Sequence, residues 1–417
     1  MSALSAMAEN LKGSEIIKLA GEIKEKIANG DTIYNFTIGD FDPNIFPIPS
    51  AYQDAIINAY KAGETNYPAA NGIAELRKVL AQFIAEEQGL NYSAEEFLVA
   101  GGARPLIYAA YQAVVDRGEK VLFPVPSWNN NHYTHLAHGQ QIFLQTTPEN
   151  NFMPTANEIK PYLSEIGLLA LCSPLNPTGT VFTAEDLKPI CEAIVEENKR
   201  RGDQKPVYLL YDQIYWQITH GSTKHVDPVS LCPEIKPYTI YIDGLSKSLA
   251  ATGVRVGWAF GPKKLINAMK SILGHIGAWA PKAEQVASAK YLAQKEEVNV
   301  FLNAFKQEIN NRLKGFYEGM QDLKEAGYPV DAIAPQAAIY LTIKFDLVGK
   351  SFNGEKLNDM KDVTSFLLNE VGLAIVPFYA FGAPDTSPWF RLSVGTSTMD
   401  DIDACFKKLN RVLAELS

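Results

Sequence analysis

The most chemically pointed feature of the chain is a lysine set among hydroxyl side chains. Lys247 lies between Ser246 and Ser248 in DGLSKSLAATGVRVGW, residues 243–258, with Gly253 and then Arg255 eight positions beyond the lysine. A lone lysine is ordinarily a solvated surface charge. An ammonium buried among hydroxyls beside a guanidinium instead suits a Schiff-base lysine next to a phosphate. VYLLYD closes on Asp212, with Tyr215 three positions later, and a carboxylate that ends an apolar run needs a partner. In EFLVAGGARPLIYAAYQAV a strand-like run passes through Gly101-Gly102 into a helix with Pro105 in its first turn. The unpaired amides near Ala103 and Arg104 then face an incoming anion. Arg391, in PWFRLSVG, is an arginine in an apolar strand and also calls for a partner. His132, His135 and His138 in HYTHLAH follow i, i+3, i+6 spacing, but the first and last point well apart on a helix and no acidic or thiol ligand stands nearby. No metal site is expected there.

These residues need a scaffold. The runs EFLVAGG, KVLFPVP, LLALCSP, VYLLYD and YTIYID alternate with helical patterns, which predicts an α/β fold with a mostly parallel sheet covered by helices. Five of these runs pass into polar or Gly/Pro-rich clusters: Gly101-Gly102, Pro126-Ser127-Trp128, Ser173 to Asn176, Asp212 and Asp243. Ligands bind at the carboxyl ends of such strands, so all five are expected to face one site. An amphipathic helix is predicted from Ser14 to Asn29, carrying Ile16, Ile17, Leu19, Ala20, Ile23 and Ile27, and another over residues 72–88. After about residue 281 one long charged helical stretch leads to a C-terminal α/β piece with APQAAIYLTIKF, GLAIVPFYAFG and WFRLSVGTS.

The chain has 417 residues, room for two or three domains at about 150 residues each. Thirty-eight basic against 47 acidic side chains give a net charge of −9, which argues against nucleic acid or an anionic membrane surface as the main partner. No apolar stretch approaches the roughly 20 residues that span a bilayer, and the N-terminus lacks a signal core. The four cysteines, Cys172, Cys191, Cys232 and Cys405, show no CxxC pairing and read as reduced thiols. A soluble, cytoplasmic protein is expected.

The segment around Lys247 resembles the cofactor-lysine motif of pyridoxal-phosphate aminotransferases of fold type I, class I/II, and the similarity runs over nearly the whole chain. LCSPLNPTGT, residues 171–180, carries the N-P-T-G signature of that family. The resemblance implies a large domain with a mostly parallel sheet between helices and a smaller α/β domain. The division expected is an N-terminal arm with part of the small domain in 1–48, the cofactor domain in 49–324, and the rest of the small domain in 325–417. It implies pyridoxal 5'-phosphate as cofactor, carried by Lys247, with Asn176 and Tyr215 bonding its phenolic oxygen and Asp212 pairing with its protonated ring nitrogen. Ala103, Arg104, Ser246 and Arg255 match phosphate contacts, Trp128 the aromatic stacked on the ring, and Tyr67 in TNYPAANGIAELR a phosphate donor from a neighbouring subunit. A homodimer with an intersubunit active site follows. Gly39 and Arg391 match contacts to the substrate's α-carboxylate, Asn176 and Trp128 contribute to substrate binding, and Lys247, Asp212 and Tyr215 form the catalytic set.

The chain departs from the family's usual patterns in places. Gln213 stands where D-E-x-Y is usual, and Gly39-Asp40-Phe41-Asp42-Pro43 replaces the order G-x-P-D-F. Arg104 in GGAR aligns with a lysine that, in one subgroup with a similar G-G-K segment, reaches a distal carboxylate. A cation at a helix N-terminus opposes the dipole, which favours a functional reason for it. The expected reaction is ping-pong transamination between an L-amino acid, aspartate or glutamate favoured, and a 2-oxo acid. Aromatic or alanine-type donors, a lyase on the same scaffold, and a non-enzymatic cofactor-binding regulator are the alternatives. The departures at Asn129 to Asn131 and at Gln336-Ala337 bear on pocket shape.

Overall fold

The apolar runs near the middle of the chain become the strands of a seven-stranded sheet in the computed structural model, which describes residues 4–11 and 15–417. The strands are β1 (Phe97–Ala100), β2 (Lys120–Val125), β3 (Gln140–Gln145), β4 (Ile166–Cys172), β5 (Tyr208–Asp212), β6 (Thr239–Gly244) and β7 (Gly257–Phe260). Their order across the sheet is β1-β7-β6-β5-β4-β2-β3, and only β7 runs antiparallel to its neighbours. Alternate side chains feed two cores. Leu169, Leu171, Leu209, Tyr211 and Tyr241 enter one, and Leu168, Ala170, Leu210, Ile240 and Ile242 enter the other. That division is the period-2 geometry of a strand, and apolar cover on both faces explains why LLALC and YLLY read as unbroken hydrophobic runs.

A second, four-stranded antiparallel sheet is built from β8 (Val330–Ala332), β9 (Tyr340–Phe345), β10 (Val376–Pro377) and β11 (Trp389–Ser393) in the order β10-β11-β9-β8. Residues Tyr34–Asn35 pair with Leu373–Ala374, so an N-terminal segment is stitched to the C-terminal part. Four helices matter for the site: α1 (Glu15–Ala28), α2 (Ala103–Val114), α3 (Lys295–Glu325) and α4 (Met399–Leu413). Helix α3 links the two cores, with Val298 and Leu302 in the first and Phe305, Ile309, Leu313, Phe316, Met320 and Leu323 in the second. Helix α4 turns Ile402, Cys405, Leu409 and Val412 inward and starts at Thr398, whose hydroxyl and Asp401 form a reciprocal cap.

Several expectations shift. The N-terminal helix spans Glu15–Ala28, with Ser14 and the side chains of Ile16 and Ile17 outside the described residues, and the helix expected over 72–88 spans Ala74–Gln88 before Gly89 ends it in the left-handed region at φ 72°. The single long helical stretch after residue 281 is two helices, Lys282–Leu292 and α3, parted at Ala293-Gln294 where the backbone leaves the helical region at Gln294. The helix over HYTHLAH covers His132 and His135 and stops at Leu136, with His138 at a positive φ of 57°, so the three imidazoles do not share a helix. Among the described residues no helix is long and apolar enough to cross a membrane.

Candidate active site

The carboxyl ends of β4 and β5, the N-terminus of α2 and the turn after β6 converge on a cavity of about 650 Å³ closed from the other side by β9 and β11. Lys247, Asp212, Tyr215, Asn176, Ala103, Arg104, Trp128, Ser246, Arg255, Gly39 and Arg391 all line it. Tyr67 does not. It is 81% exposed and stands edge-on to Trp279 at 5.2 Å, on the outer surface. Two of the five strand-end clusters also miss the cavity. Gly101 and Gly102 shape the backbone behind it, while Asp243 accepts from Trp216 Nε1 at 2.8 Å and its burial pushes the carboxyl up to about 8. Asp243 ends one strand over from Asp212, and its hydrogen bonds hold it on Trp216 and Gln213.

Lys247 sits in the one-turn helix Leu245–Ser248 that follows β6, and its Nζ donates to the Gly39 carbonyl at 2.6 Å. Burial lowers its pKa from 10.5 to about 8, with Arg391, Arg104 and Arg255 pushing the same way and Asp40 opposing them. The amine is therefore a usable base near neutral pH. Asp212 ends β5, and burial raises its carboxyl from 3.8 to about 6 against the pull of the Ile214 amide at 3.0 Å and of Lys247. It has no ion pair among the described residues. A carboxylate held this way accepts a cationic N–H from a ligand readily.

Arg391, on β11, is 2% exposed. It donates to Asn176 Oδ1 at 3.0 Å and to the Thr37 carbonyl at 2.6 Å, its Nε is unpartnered, and it lies between the rings of Tyr340 and Phe381 at 4.8 and 5.0 Å. Its burial lowers the guanidinium pKa, yet among the described residues no carboxylate pairs with it. A buried fork with unused donor capacity is a receptor for an incoming carboxylate. Arg104, exposed at the cavity mouth, stacks over Trp128 at 5.4 Å. Arg255 adopts φ 63° and donates to the Thr252 and Gly101 carbonyls at 2.7 and 3.0 Å, which fixes it behind the start of α2.

The backbone there is shaped for a close approach. Gly102, at φ 93°, leaves α2 without a side-chain cap, and a Cβ on it would run into the Arg255 guanidinium. A Cβ on Gly257 would meet the Gly102–Ala103 backbone at 2.6–2.7 Å. The first amides of α2 are thereby left for an anion. Ser248, expected beside Ser246, has its hydroxyl buried without a partner and does not line the cavity.

Residues 31–409 match the family model for aminotransferase class I and II. The chain belongs to that family. It is 30% identical over 413 residues to the aspartate aminotransferase of Geobacillus stearothermophilus, covering 98% of each chain. The Rhizobium meliloti aspartate aminotransferase structure superposes with a TM-score of 0.89 at 26% identity over 100% of both chains. The Thermus thermophilus aspartate aminotransferase solved with maleate gives 0.87 at 26% identity, over 99% of this chain and 100% of that one. As a class I and II aminotransferase of α/β fold, with a large, mostly parallel sheet and a smaller sheet, the chain has the expected architecture.

Several cavity residues escaped the sequence reading. Tyr340, buried in β9, places its hydroxyl 2.6 Å from that of Tyr215. Thr252 donates to Asp40 Oδ1 at 2.6 Å, and Cys172 and Thr37 also line the wall. Tyrosine or cysteine in an apolar run looks like core, and Asp40 showed only as part of a departure from the family's usual order.

Proposed function

We propose that this aminotransferase moves the amino group of aspartate or glutamate to a 2-oxo acid, using pyridoxal 5'-phosphate. The observation that carries the reading is one cavity holding an amine lowered to about 8, a buried carboxylate and a buried arginine, the last two without an ionic partner among the described residues. The residues fit the cofactor: the glycine-lined start of α2 suits a phosphate, and Asp212 suits a protonated ring nitrogen. When bound, that group withdraws the electrons freed at the substrate's α-carbon. Lys247 would carry it and, as a free amine, move the proton at Cα. Asp212 would hold the ring nitrogen protonated, and Asn176 and Tyr215 would face the phenolic oxygen. The backbone amides of Ala103 and Arg104, with the side chains of Ser246 and Arg255, would surround the phosphate, and Trp128 would stack on the ring. Arg391 would grip the α-carboxylate in a bidentate fork, with Gly39 beside it.

Arg104 is the residue for the distal carboxylate. It has no acidic partner among the described residues, it stands at the mouth, and a relative of this fold was solved with maleate, a dicarboxylate. We further propose a homodimer in which Tyr67 of the partner subunit completes the phosphate site. Its 81% exposure, next to Trp279, supports that reading. The division into 1–48, 49–324 and 325–417 is supported by the pairing of Tyr34–Asn35 with Leu373–Ala374 and by the helix that joins the two cores. An amino-acid panel with 2-oxoglutarate as acceptor, read by product identity, tests the function. Aspartate should yield oxaloacetate and glutamate in equal amounts. A decarboxylated or eliminated product, or preference for an aromatic or alanine donor, would refute it.

A further inference from the structure

Tyr340 touches two parts of the site at once. Its hydroxyl lies 2.6 Å from the Tyr215 hydroxyl, the two rings meet edge to face at 5.4 Å, and its own ring face lies 4.8 Å beneath the Arg391 guanidinium. It is 1% exposed and held on β9 opposite Ser393 of β11, two residues from Arg391. Its hydroxyl also fills the space beside Gly39, where a Cβ would approach it to 2.7 Å.

We propose that Tyr340 is a positioning residue that orients Tyr215 toward the cofactor's phenolic oxygen and supports Arg391 for the substrate carboxylate. The proton logic follows from the neighbours. The Arg391 guanidinium can only donate, and of the two tyrosine hydroxyls either can donate to the other; the arrangement that serves the cofactor is the one in which Tyr340 donates. With Tyr340 donating, the Tyr215 proton is left for the cavity, and the chain of two hydroxyls strengthens that second donation. The titratable groups facing the pair are Arg391 from β11, Cys172 from the end of β4, Asp40 from the N-terminal segment and Lys247 from the turn after β6. Among the described residues, none of them accepts a hydrogen bond from either hydroxyl.

This inference rests on the cofactor reading above, and its test separates the two. The protein is reconstituted with pyridoxal 5'-phosphate, and its visible absorption band is titrated with pH in the wild type, Tyr340→Phe, Tyr215→Phe and the double variant. Tyr340→Phe keeps the ring and should raise the band's apparent pKa by about 0.4–1, the scale of one hydrogen bond. In the Tyr215→Phe background the same change should move it by less than about 0.2, because the cycle removes the shared contact. The dissociation constant of maleate should stay within about twofold for Tyr340→Phe and weaken about fivefold or more for Tyr340→Leu, which deletes the ring face. An unchanged band pKa in Tyr340→Phe, or an equal shift with and without Tyr215, overturns the inference while the cofactor reading stands. No titrating band in the wild type overturns both.

Discussion

Arg391 offers the sharpest energetic test. Its guanidinium is 2% exposed, bonded to one carboxamide and one backbone carbonyl, flanked by two aromatic rings, and paired with no carboxylate among the described residues. A buried cation in that state is costly, and an incoming α-carboxylate supplies the missing partner. Arg391→Gln should therefore cost about 2–5 kcal/mol of transition-state binding, the scale for truncating one member of a buried charge pair. That corresponds to a loss of about 30-fold to a few thousand-fold in kcat/KM for aspartate. The apoprotein should behave oppositely. With no internal salt bridge to lose, the neutral variant should unfold within about 1 kcal/mol of the wild type, or later. Steady-state kinetics with aspartate, a single-turnover control with an amine lacking an α-carboxylate, and denaturant unfolding of the apoprotein read the three arms. A loss below about fivefold, or an equal loss for the carboxylate-free amine, would refute the assigned role.

Arg104→Gln should cost about 2–5 kcal/mol for aspartate and glutamate and leave alanine and phenylalanine nearly unaffected; an equal loss for all donors would assign Arg104 to the phosphate or the fold. Asp212 is raised from 3.8 to about 6, so between those values the folded apoprotein binds more protons than the unfolded chain and stability falls as pH rises. Apoprotein Asp212→Asn should accordingly be more stable than wild type at pH 8 by up to about 3 kcal/mol, converge with it below about pH 4, and lose most of its half-reaction rate once loaded; a pH-independent difference would count against the assignment. Sedimentation at assay concentration should show a dimer, with Tyr67→Phe weakening cofactor retention, and an active monomer would contradict the shared site.

Elements buried on both faces were the ones most plainly legible in the sequence. Strands β4, β5 and β6 were legible because apolar cover on both faces fills their middles with apolar side chains and leaves the carboxylates of β5 and β6 toward the strand ends. Strand β3, QQIFLQ, was not, since at the sheet edge its glutamines face solvent. The parting of Lys282–Leu292 from α3 carries no glycine or proline to announce it. In the site, Asp212 and Arg391 stood out because a charge in an apolar run needs a partner, Lys247 because it lies among hydroxyls near Arg255, and Asn176 through the N-P-T-G signature. Tyr340 has no such signature, because a tyrosine in AAIYLTI packs as well as it bonds, and its pairing with Tyr215 spans 125 positions.

The central claim is that Lys247 carries the cofactor. Borohydride reduction of the reconstituted protein, followed by proteolysis and mass mapping, tests it most directly. The account predicts one phosphopyridoxyl group per chain, on the peptide containing Ser246-Lys247-Ser248. A label on any other lysine, or no stable label, would contradict it.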